Sequence, residues 1–88
     1  MKIYQYTPPF KTVDFHDNEV QVPFDMKYIV ADKDGCIVSF INDPIPDPCY
    51  ATTDEEGVCW IDPLAGELYI VGYANLEGME WKESKVTL

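Results

Sequence analysis

Eighty-eight residues supply one hydrophobic core rather than two, and an apolar share of 47% with 14% aromatics excludes a disordered chain. Arginine is absent, and 6 lysines face 16 acids for a net charge of −10. That balance argues against nucleic acid or anionic membrane as a direct partner, since phosphate binding needs clustered cations, and favours a protein partner with a basic surface.

The chain opens Met1-Lys2-Ile3-Tyr4-Gln5-Tyr6, without the apolar core of a signal peptide, and no later apolar run approaches membrane-spanning length. A cytoplasmic location is the expectation. Thr7-Pro8-Pro9-Phe10 ends a first strand, because proline offers no ladder donor. His16-Asp17-Asn18-Glu19 reads as a solvated loop: four consecutive residues do not converge on a metal without distant help. A short strand follows at Glu19–Val22, with Pro23 at its end or edge.

Three turns share one pattern of Asp or Asn, any residue, an acid, Gly and an apolar residue. They are Asp32-Lys33-Asp34-Gly35-Cys36, Asp54-Glu55-Glu56-Gly57-Val58 and Asn75-Leu76-Glu77-Gly78-Met79, starting 22 and then 21 residues apart. A three-residue hairpin loop has a type I turn followed by a left-handed residue, which glycine occupies without a Cβ clash. An opening Asp or Asn bonds the backbone N–H groups that follow. The pattern predicts three successive hairpins.

Their flanks are rich in β-formers: Met26–Ala31, Cys36–Ile41, Leu68–Ala74 and, less strongly, Val58–Ile61. With Asp32 opposite Cys36, one face of the first hairpin carries Tyr28, Val30, Cys36, Val38 and Phe40. The other carries Ile29, Ala31, Ile37, Ser39 and Ile41, so both faces are apolar and the hairpin should be central. Asp43-Pro44-Ile45-Pro46-Asp47-Pro48 should run extended and exposed between units. In the third hairpin Tyr69, Val71, Tyr73, Met79 and Trp81 should share a face, with Glu80, Lys82 and Ser84 marking an edge strand. The expected fold is all-β, a small antiparallel sandwich or barrel of six to eight strands forming one domain over residues 1–88.

Chemistry is sparse. Cys36, Cys49 and Cys59 have no Cys-x-x-Cys spacing, and the second hairpin's register puts Cys49 and Cys59 out of bridging range. Buried thiols in a reducing compartment are the expectation. His16 is the only histidine, and neither a phosphate loop nor a nucleophile elbow occurs. The first turn lacks the ligand spacing of a calcium loop, with Gly35 in its fourth position and Cys36 in its fifth. No enzyme activity, metal or cofactor is implied.

The aromatics carry the functional expectation, because Tyr and Trp supply interface hot spots. The expected function is a non-enzymatic acidic interaction module. It binds another protein through Tyr69, Tyr73 and Trp81, ringed by Glu77, Asp54, Glu55 and Glu56. A first alternative is an acidic inhibitor imitating nucleic acid: carboxylates two residues apart on a strand sit about 6.6–6.8 Å apart, near two base-pair rises. A second is a small virion or tail-type assembly subunit that self-associates by its sheet edges. The run Ile29–Pro48 resembles turn-rich tail-fibre assembly segments in general look.

Overall fold

The hairpin around Asp32–Cys36 lies at the centre of the computed structural model, which describes residues 1–3, 9–46 and 59–88. Its strands are β3 (Tyr28–Ala31) and β4 (Cys36–Phe40), paired Tyr28 to Phe40 and Ala31 to Ile37. That register continues to Asp32 opposite Cys36, where Asp32 N–H donates to Cys36 O at 2.8 Å and Gly35 N–H to Asp32 O at 2.9 Å. Gly35 has φ +91°, the left-handed residue the loop requires. The two apolar faces read from the sequence are the two faces of the core.

On one face Ile29, Ala31 and Ile37 pack with Phe15, Val22 and Met26. The latter group comes from β1 (Phe10–Phe15), β2 (Asn18–Pro23) and the segment that leads into β3. Alternation aims Lys11, Val13 and Phe15 of β1 inward, with Val20 opposite Val13 and Val22 opposite Lys11. Lys11 reaches across to donate to Met26 O at 2.7 Å, tying the hairpin to the sheet. Its two-residue loop, His16-Asp17, has φ +49° and +69°, a primed turn made without glycine. The loop reading of His16–Glu19 is thereby narrowed to His16-Asp17: Asn18 opens β2, and Glu19 lies in the strand expected from Glu19 onward.

On the other face Val30, Val38 and Phe40 pack with Trp60 and Trp81, whose rings meet edge to face at 6.0 Å. Trp60 belongs to β6 (Trp60–Ile61), which pairs with β5 (Ile45–Pro46). The proline-rich connector is therefore not uniformly exposed: Pro44 is fully buried and Ile45–Pro46 form a ladder. Proline has no N–H to satisfy, which makes its burial inexpensive.

The third hairpin does not form. β7 (Leu68–Tyr73) pairs with β4, and the chain after the third turn enters a 3-10 helix at Trp81–Glu83 before β8 (Val86–Thr87) pairs with β3. The four-stranded order is β7-β4-β3-β8. Turn three also differs in kind from turn one. Glu77 and Gly78 are both left-handed, φ +51° and +87°, and Met79 N–H donates to Leu76 O at 2.9 Å. The residue after the opening Asp or Asn decides between them. Lys33 is solvated, whereas Leu76 packs against both core clusters and draws its turn inward.

The molecule is all-β, mostly strand, with several antiparallel sheets and no α-helix among the described residues. No helix among them is long and apolar enough to cross a membrane. The Asp54–Val58 turn and Cys49 lie outside the described residues, and with them the second hairpin's register and the Cys49–Cys59 separation.

Candidate protein-interaction surface

β7 is the outer strand of the sheet, and among the described residues it pairs with β4 alone. Its sequence, Leu-Tyr-Ile-Val-Gly-Tyr, contains no charge and no proline. Charge and proline are two of the devices by which natural edge strands block pairing with another chain; of the others, β7 has a bulge near its end. Here Leu68, Ile70 and Tyr73 are 53%, 58% and 78% exposed.

A β-bulge decides which residues share that row. Tyr69 lies opposite Ser39 and Ile70 opposite Val38, but Gly72 lies opposite Ile37, leaving Val71 as the additional residue. Tyr73 then falls opposite Cys36. Ser39 and Cys36 are on different faces of β4, so Tyr69 and Tyr73 are too. Tyr69 packs against Phe10 of β1, ring centroids 5.6 Å apart, on the hairpin side. By register Tyr73 falls in the row of Leu68 and Ile70, opposite Cys36, Val38 and Phe40, and at the strand's end it also borders the cavity beside Ile37.

The Tyr69–Tyr73–Trp81 row is accordingly not assembled. Trp81 is 4% exposed in the core, and Ser84, read as part of a charged edge, is fully buried. A strand alternation counted through Met79–Ser84 has no ladder to keep it, because the Trp81 side chain turns into the gap beside Val30 and Phe40. Asp54, Glu55 and Glu56 lie outside the described residues. Of the seven residues expected to form the site, Tyr73 and Glu77 are the pair brought together, on the wall of one cavity.

Acidic loops flank β7 at both ends. Before it, the Asp62 carboxylate accepts from Leu64 N–H at 2.8 Å, Gly66 N–H at 2.7 Å and the Asn42 amide at 3.0 Å. Desolvation pushes the Asp62 carboxyl up, but those three hydrogen bonds outweigh it and hold it below the ordinary value. Glu67 follows in the same loop. After β7, turns one and three lie side by side, joined by Ala74 N–H donating to Gly35 O at 2.9 Å. Asp34, Glu77 and Glu19 collect at this end. Sequence reasoning did not single out Leu68, Ile70 or Glu19, which lie on β7 and beside it; the signal available was an uncharged strand between acidic turns.

Two groups near Tyr73 have shifted titrations. Burial pushes the Asp32 carboxyl up, opposed by the Trp60 N–H it accepts at 3.0 Å and aided by Asp34. Burial likewise pushes the Cys36 thiol up, Asp32 and Asp34 add to this, and a hydrogen bond with Tyr73 opposes it. That thiol stays protonated and unreactive at neutral pH. Among the described residues no group of three or more His, Cys, Asp or Glu is arranged to hold a metal ion. No family model matches this chain, and no curated protein or solved structure matches it either.

Proposed function

We propose that this chain is a non-enzymatic interaction module that captures an extended segment of a basic partner protein along the edge of β7. The observation that carries the reading is an outer strand free of charge and proline, exposing Leu68, Ile70 and Tyr73 between two acidic loops. Strand addition supplies main-chain hydrogen bonds for affinity, and alternate side chains supply specificity. The flanking carboxylates steer a basic segment to the edge and disfavour an acidic one. That preference also ranks a second copy of this chain, with its own charge of −10, below a basic partner. We further infer a sandwich-type closure, with the β1–β2 hairpin as the second layer; its support is the core that hairpin shares with β3 and β4.

The test is capture from the native host at two salt concentrations, comparing the natural chain with Ile70→Lys and with Ile3→Lys. Both substitutions add the same charge at an exposed isoleucine, but only the first lies on β7. The reading expects proteins retained by the natural chain and Ile3→Lys but released by Ile70→Lys, with weaker retention at high salt. Retention equal for all three chains, with unchanged circular dichroism, overturns it.

A further inference from the structure

β7 ends at Tyr73 on the wall of a cavity of about 530 Å³, which opens between the β1–β2 turn and the third turn. Phe15, Val20, Ile37 and Leu76 give it an apolar lining, and Phe15 and Ile37 belong to the buried core. Glu19 of β2 and Glu77 of the third turn are exposed residues that also line it, placing acids at its rim.

The remaining polar side chains sharpen the ligand. Asn18 spends its amide N–H groups on Phe15 O at 3.3 Å and His16 O at 3.0 Å, which leaves its Oδ1 as an acceptor. His16 Nε2 lies 2.7 Å from Ser84 O; a carbonyl only accepts, so Nε2 carries a proton and is spent on that contact. Asn75 Oδ1 is occupied by Glu77 N–H at 3.0 Å. Acceptors therefore outnumber free side-chain donors in the cavity, and no lysine lines it. A fitting ligand carries several donors, a positive charge and an apolar stem.

We infer that this cavity seats an arginine side chain of the bound partner. Its methylenes lie on Phe15, Val20 and Leu76, and its guanidinium donates to Glu19 and Glu77. Guanidinium suits the site better than ammonium: it is more weakly hydrated and presents five N–H donors in a planar fork that several separate acceptors can share. The source of the arginine rests on the β7 reading, since a segment paired along β7 arrives at the cavity beside Tyr73. The cavity's preference for the side chain does not depend on it.

The test titrates the isotope-labelled full chain with N-acetyl-arginine methylamide, following backbone amide shifts by NMR. Matched titrations use the lysine and norleucine analogues. Expected are saturable shifts at Val20, Leu76 and Glu77 with the arginine probe, weaker binding of lysine, and none of norleucine. Glu19→Gln with Glu77→Gln, both at exposed positions, should weaken arginine binding about fivefold or more while Ile70→Lys leaves it unchanged. Absent shifts, shifts matched by norleucine, or equal affinity in the double variant overturn the site; lysine binding as tightly overturns the guanidinium assignment. Should arginine bind normally while Ile70→Lys releases no partner, the cavity stands and the β7 reading falls.

Discussion

The Ser84 hydroxyl takes the place of a missing strand beside Ala31: it accepts the Ala31 N–H at 2.8 Å from 53 residues away in the chain. β8 reaches only Tyr28 and Ile29 on that side of β3, so Ala31 has no ladder partner there. The hydroxyl's own proton goes to Trp81 O at 2.6 Å, closing the 3-10 helix, while Ala31 O receives the Trp60 indole N–H at 2.9 Å. One buried serine thus joins the central sheet to the Trp81 backbone, at the same residue that holds the Trp60 indole.

Ser84→Ala is expected to leave the Ala31 N–H buried without a partner, since both residues are fully buried. An orphaned buried donor costs about 1–3 kcal/mol. For a domain of this size each kcal/mol lowers Tm by roughly 4–8 °C, which thermal unfolding followed by circular dichroism resolves. A Tm unchanged within a degree would show that Ala31 finds another acceptor.

Trp60→Phe should cost more in the Ser84→Ala background than in the natural chain. Ser84 Oγ also lies 3.2 Å from Ala31 O, so its proton can swing to that carbonyl when the indole is removed. Without Ser84 no such substitute exists. A double-mutant cycle should therefore show coupling of about 0.5 kcal/mol or more, the scale found for residues that share a partner. Strict additivity would mean the two groups act on Ala31 independently.

Gly35→Ala and Gly78→Ala should separate, although both glycines have left-handed φ values of +91° and +87°. Each substitution meets the left-handed penalty of roughly 1–2 kcal/mol. At Gly35 the new Cβ also collides with Ala74 O, a backbone atom in the contact that joins turns one and three. At Gly78 nothing lies within 4 Å. Gly35→Ala should be the more damaging in denaturant titration, and equal midpoints would refute the contact.

These glycines also show what was legible in the sequence. Turn one was readable because all its determinants are local: Gly35 supplies the left-handed residue and the β-formers on either side fix the pairing. Both faces of the central hairpin followed from that register. Turn three carries nearly the same residues but serves a different backbone, because Leu76 answers to two distant core clusters. The Val71 bulge was equally hidden, and it moves Tyr73 off the face of Tyr69. Local pattern shows where the chain turns. Which strand receives β7, and hence which residues form the exposed row, is decided by packing between residues far apart in sequence.

Asp32→Asn should stabilise the protein at neutral pH. Burial, the largest cause, raises the folded-state carboxyl above its ordinary 3.8, with Asp34 adding to it and the Trp60 N–H opposing. For a raised group, the stabilising contribution is full below the unfolded value and is lost as pH rises through the folded one. Asparagine keeps an oxygen for the Trp60 N–H and can open the turn as Asn75 does, but it carries no charge to desolvate. Asp32 is partly exposed, so solvent screening limits the gain to about half a kcal/mol, or roughly 2–4 °C in Tm at pH 7. The difference should close as pH falls below 3.8, where the natural carboxyl is also neutral. Asp62→Asn should behave in the opposite sense, because hydrogen bonds from Leu64, Asn42 and Gly66 hold that carboxyl below its ordinary value. The stability it contributes is present at neutral pH and lost on acidification, so its removal is felt at pH 7 and not in acid. Thermal unfolding of the two variants between pH 3 and pH 7 should give difference curves of opposite sign, and curves of the same sign would refute the assigned directions.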